Sequence, residues 1–147
     1  MPTKASRARK KSASPNDSPS MAQKIAKALA VLASGLPNPY DESTDYFRAF
    51  STSFAVDSPI NEATLRVALK IGARYHLDIT DLGVLGEDYG EPEESSFRIL
   101  QSAMNATLGE TKLVFARAKG VVRVRMWILG RAATGGLAGL RTETTET

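Results

Sequence analysis

Residues 112–131 read KLVFARAKGVVRVRMWILGR, and the fold turns on how this stretch is paired. Val, Phe, Trp and Ile favour extended backbone, and Lys119–Gly120 supplies a turn. A two-residue loop sets Ala118 opposite Val121 and Phe115 opposite Val124. Leu113, Phe115, Val122, Val124 and Met126 then share one face, with Arg117 near the tip. The other face carries Lys112, Val114, Ala116, Arg123, Arg125 and Trp127. Apolar and basic sets separate in this register, which supports it, because a slip of one residue would exchange the faces. A three-residue loop with a bulge is the alternative and would mix them. An isolated hairpin is unstable in water. Its apolar face must therefore lie on helices, and its edges must meet a strand, a second copy or solvent.

Outward from the hairpin, the sequence reads as helices. SMAQKIAKALAVLASG repeats apolar residues at Ile25, Leu29 and Leu32, with Gly35 as its stop. DESTDYFRAFSTSF, residues 41–54, gathers Tyr46, Phe47, Phe50 and Phe54 as a second helix with an aromatic core face. Pro59 to His76 is the strongest helix, capped by Ser58, with Ile60, Thr64, Val67, Ala68, Ile71 and Tyr75 on one face. Arg66, Lys70 and Arg74 form a basic row along it. Residues 78–94 hold seven acids and no Lys or Arg, and with Gly83, Gly86 and Gly90 they read as an acidic loop. SSFRILQSAMNATLG is a fourth helix through Phe97, Leu100, Met104 and Leu108, ended by Gly109.

The expected fold is thus α+β and mainly α: about four helices, then a C-terminal β-hairpin, with disordered tails at both ends. The expected organisation is a basic arm over residues 1–20, one compact domain over 21–130 and a flexible tail over 131–147. The arm is rich in Ser, Pro, Lys and Arg and has no apolar side chain large enough to bury after Met1. It carries five basic residues and one acid, a charge of +4, whereas residues 21–147 carry 14 basic and 15 acidic residues, a charge of −1. The total of +3 therefore comes from the arm.

Several chemistries find no support. There is no cysteine, so disulfides, zinc thiolates and a cysteine nucleophile are excluded. His76 is the single histidine, and its position near a helix end suits capping better than catalysis. No phosphate-binding glycine motif or nucleophile elbow is present, and the acids of 78–94 do not follow an EF-hand spacing. No apolar run reaches the roughly 18 residues of a membrane span. The expectation is a non-enzymatic protein without cofactor, metal or membrane partner.

A basic arm, a short core and no catalytic set form a layout similar to that of small viral coat and nucleocapsid proteins. That resemblance of plan implies a nucleic-acid-binding structural protein that self-assembles, with RNA favoured over DNA as partner and a homo-oligomeric state. Phosphate contacts are expected first from Lys4, Arg7, Arg9, Lys10 and Lys11, then from Lys112, Arg123 and Arg125, then from Arg66, Lys70 and Arg74. Two alternatives stand beside it. One is a winged-helix-type DNA-binding regulator with the hairpin as wing, opposed by the acids of 78–88. The other is a protein-interaction module without nucleic acid, in which KASRARKK acts as a nuclear-localisation signal on a regulated tail. The expected location is a reducing intracellular compartment or a virion, or the nucleus in the last reading.

Overall fold

The computed structural model describes residues 20–37, 46–86 and 89–145. Its centre is a five-stranded antiparallel sheet, not a helical bundle. In chain order the elements are α1 (Met21–Leu32), β1 (Arg48–Thr52), α2 (Glu62–Ala68), β2 (His76–Asp81), α3 (Glu93–Thr107), β3 (Leu108–Arg117), β4 (Arg123–Ala132) and β5 (Leu137–Thr145). The strand order is β1-β5-β4-β3-β2. Among the described residues, three helices and five strands replace the expected four helices and single hairpin.

The hairpin is present as β3 and β4, and its faces are those read from the sequence. Its register is two residues longer: Phe115 pairs with Met126 and Ala116 with Arg125. Residues 118–122 make the loop. The Val121 amide donates to the Ala118 carbonyl, and Gly120 takes φ +80°, which a side chain would strain. A shift of two preserves the alternation, so the apolar and basic sets stay on opposite faces. Both edges of the hairpin are paired within the chain, to β2 on one side and β5 on the other.

Two layers of helix cover the sheet. On one face α1 and α3 pack Ala22, Ile25, Ala26, Leu29, Phe97, Leu100 and Met104 against Leu113, Met126, Ile128 and Leu140. On the other, α2 packs Leu65 and Leu69 against Val114, Ala116, Trp127, Leu129 and Leu137. Burying one such leucine is worth about 1.5–3 kcal/mol, which is what holds a seven-residue helix too short to persist alone.

The helices expected at α1 and α3 are where the apolar spacing placed them. Ser20 caps α1 in a capping box with Gln23. In α3, Phe97, Leu100 and Met104 are the buried residues. Elsewhere the expectation fails for identifiable reasons. The segment expected as a helix over 41–54 yields β1, whose alternation sends Ala49 and Ser51 to one face and Phe50 to the other. Residues 41–45 lie outside the described residues. A spacing of three between Phe47 and Phe50 suits a helix face, but it also suits two aromatics on opposite faces of a strand, here buried in separate cores.

The helix expected over Pro59–His76 is reduced to α2. Asn61, not Ser58, caps it, with a reciprocal bond between Asn61 and Thr64. It stops because Lys70 enters the left-handed region at φ 57°. The Ile71 amide donates to the Arg66 carbonyl and the Lys70 amide to the Val67 carbonyl, a Schellman ending in which lysine takes glycine's usual place. His76 opens β2 rather than closing a helix. The acidic loop expected from residue 78 instead begins as strand, because Asp78 alternates with Leu77 and Ile79, Asp81 follows on their face, and both acids meet basic partners on β3.

The tail expected over 131–147 contains β5. Leu137, Gly139, Arg141 and Glu143 point to the α2 side, and Ala138, Leu140, Thr142 and Thr144 to the other. This strand sits between β1 and β4, so what was read as a loose end is interior to the sheet. Gly139 is needed where it lies: a Cβ there would stand 1.9 Å from the Ile128 carbonyl oxygen.

Candidate anion-binding face

The α2 side of the sheet carries most of the hairpin's cations, and its two ends treat them differently. At one end, Lys112 donates to Asp81 at 2.6 Å across the β2–β3 pair. That hydrogen bond, reinforced by the lysine charge, holds the Asp81 carboxyl below its ordinary value. Arg131 donates through Nε to Glu110 at 2.8 Å and through Nη1 to the Val56 carbonyl at 2.9 Å, and it lies over the Phe54 ring. Glu110 sits at φ 52° beside the register shift between Gly109 and Lys112, and its bond from Arg131 lowers its carboxyl pKa. These two cations fasten strands and loop together.

At the other end the arginines accumulate. Arg48 on β1 stands directly opposite Arg141 on β5, and Arg141 directly opposite Trp127 on β4. Arg125, one turn of the pleat along β4, stands opposite Glu143. Like charges directly opposite across strands repel, and Arg48, Arg125 and Arg141 form no ion pair with an acid among the described residues. Glu143 is engaged by Arg123, whose Nε donates to it at 2.7 Å. Together with Tyr46, Trp127 and Thr142 these residues line a concavity of about 220 Å³.

The aromatic residues here serve chiefly to position the arginines. The Arg125 guanidinium lies 4.9 Å from the Tyr75 ring centroid and 5.6 Å from that of Trp127, and Arg74 lies 5.2 Å from Tyr75 on its own account. Such contacts hold a guanidinium in place without neutralising it. Trp127 is only 3% exposed, so it forms the floor and offers no free ring for stacking. Tyr46, 61% exposed, is the accessible ring at the rim.

The expected site residues are therefore distributed as follows. Lys4, Arg7, Arg9, Lys10 and Lys11 lie outside the described residues. Of the hairpin trio, Lys112 is paired at the far end, Arg123 bridges to Glu143, and Arg125 lines the concavity. The row of Arg66, Lys70 and Arg74 is not a helical row, since the helix ends before Lys70. Arg66 pairs with Glu62 and donates to the carbonyls of Gly72 and Tyr75, securing the segment that leads into β2. Arg74 joins the Arg125 cluster through Tyr75.

Arg48 and Arg141 were not singled out from the sequence because their segments were assigned to a helix and a tail, and Tyr46, expected on an aromatic core face, stands exposed at the rim. The signal for Arg141 was the alternation in LAGLRTETT, where Leu140, Thr142 and Thr144 mark one face and Arg141 and Glu143 the other. Among the described residues no group of three His, Asp or Glu side chains is placed to hold a metal ion. No described helix is long and apolar enough to cross a membrane. No family profile and no curated protein matches the chain.

Proposed function

We propose that this chain is a non-enzymatic interaction module that docks an acidic segment of a partner protein on the β1–β5–β4 end of its sheet. The observation that carries this reading is the set of Arg48, Arg125 and Arg141, gathered beside Tyr46 and forming no ion pair among the described residues. Arginine and tyrosine are enriched among the residues that dominate protein interfaces. A guanidinium already held between rings also loses less freedom on binding than a mobile side chain. Six other cations, at Arg66, Arg98, Lys112, Arg117, Arg123 and Arg131, have acidic partners, whereas Arg48, Arg125 and Arg141 line one small concavity suited to a short acidic segment.

The second reading is the nucleic-acid-binding, self-assembling structural protein. It is favoured by the charge of +4 on residues 1–20, which a phosphate backbone would attract through counterion release. Assembly by strand addition would start at β1 or β2, because the hairpin's own edges are occupied. A hairpin paired along both edges within the sheet gives the winged-helix reading little support.

Fluorescence anisotropy of the full chain with an oligo-glutamate peptide and with single-stranded RNA, over a salt series, separates the readings. Docking on the sheet predicts peptide binding that the double variant Arg48→Gln/Arg141→Gln loses and that deletion of residues 2–11 spares. RNA binding that the deletion abolishes and the double variant retains, together with a size-exclusion profile of oligomers, would establish the second reading in its place.

A further inference from the structure

We propose that the acid recognised in this concavity is a phosphate monoester, carried on a phosphorylated side chain of the partner segment. This rests on the docking reading above and specifies its ligand. The four arginines that line the concavity stand against one carboxylate, Glu143. Arg123 and Glu143 offset each other through their bond, and three positive charges remain. A partner carboxylate brings one negative charge and two acceptor atoms. A phosphate monoester brings a charge of about −1.5 to −2 at neutral pH and three acceptor oxygens. Three forked guanidiniums are more nearly balanced by it than by a carboxylate, and their donors suit its three oxygens.

The way the three are held supports the same ligand. The ladder sets Arg48 and Arg141 directly opposite on adjacent strands, where a negative group between or above them would relieve the repulsion that solvent only screens. Arg125 is steadied by Tyr75 and Trp127 and reaches the same concavity. The floor is the buried Trp127, so the depth suits a compact head group, and Tyr46 at the rim can lie along the chain that bears it. Glu143, bonded to Arg123, places its carboxylate opposite Arg125 in register, so a single phosphate is best seated over Arg48 and Arg141, away from it.

The test uses the full chain and three peptides of one otherwise neutral sequence, bearing phosphoserine, glutamate or serine at the centre, with a 5′-phosphorylated oligonucleotide as a fourth probe. Isothermal titration calorimetry should show the phosphopeptide bound at least about tenfold more tightly than the glutamate peptide, as expected for one further charge-assisted bond. Inorganic phosphate should compete with it. Affinity should rise with pH through about 6, where the monoester loses its second proton. Arg48→Gln and Arg141→Gln should each weaken the phosphopeptide about tenfold or more, while Arg98→Gln, whose arginine lies on α3 beside Glu94, should not. Thermal melts of each variant show whether the domain is folded. Equal affinity for the phosphorylated and glutamate peptides overturns the phosphate assignment and leaves the docking reading standing. Tighter binding of the oligonucleotide than of the phosphopeptide overturns the peptide source. Failure of every acidic probe to bind a folded chain overturns both the inference and the reading beneath it.

Discussion

The same sheet face treats its cations in opposite ways at its two ends. Lys112 and Arg131 each meet a carboxylate, and Arg131 also meets the carbonyl of Val56. Arg125 meets the rings of Tyr75 and Trp127, and Arg48 and Arg141 stand opposite one another. The sequence between them shows no such divide: residues 112–131 carry Lys, Arg and no acid from end to end. What separates the ends is the identity of the neighbouring strands. β2 brings Asp81 to one end, and β1 and β5 bring Arg48 and Arg141 to the other. Cations matched by the fold are structural, and cations gathered by the fold and left unmatched are held ready for a ligand.

The comparison can be broken most severely where both ends depend on one strand. Gly139→Ala would drive a Cβ against the Ile128 carbonyl and separate β5 from β4. Loss of stability on the order of 3 kcal/mol or more is expected, read as a fall in the denaturation midpoint. Next comes the structural end. Arg131→Ala leaves the Val56 carbonyl and the Glu110 carboxylate without their donor and strips packing from Phe54, a loss of about 2 kcal/mol.

At the opposite end, Arg141→Gln removes a repelling charge. It should change stability by less than about 0.5 kcal/mol, toward higher stability if at all. A destabilisation equal to that of Arg131→Ala would erase the distinction between the ends. The smallest effect concerns acid. Asp81 and Glu110 have folded pKa values lowered by Lys112 and Arg131 from ordinary values of 3.8 and 4.5, so their stabilisation is present above those values and is lost as pH falls through the folded ones. Both carboxylates are exposed, so the acid limb of the stability curve should steepen only slightly. In Asp81→Asn that limb should be flatter than in the parent, by urea midpoints measured from pH 5 downward.

How far the fold was legible depends on whether one local pattern was enough. α1 and α3 were readable because their apolar spacing admits one periodicity, although α3 ends at Thr107, and Leu108, expected on the helix, opens β3 instead. The hairpin's faces were readable because parity survives a register error of two. β1, β2 and β5 were missed because each is short or polar and becomes a strand through its partner. His76–Asp81 gains its acids' partners only on β3, and Leu137–Thr145 lies between two strands that local sequence does not reveal. The candidate site was half legible for the same reason. Arg125 was singled out, but its companions Arg48 and Arg141 come from the strands that were missed.

Arg48 and Arg141 stand side by side in space and 93 positions apart in the chain. At a synthesis rate of about 5–20 residues per second, β1 waits on the order of five to twenty seconds for β5. The concavity therefore comes into being only after β5 has been made and has met β1, so a ligand for it meets only chains in which that pairing is complete.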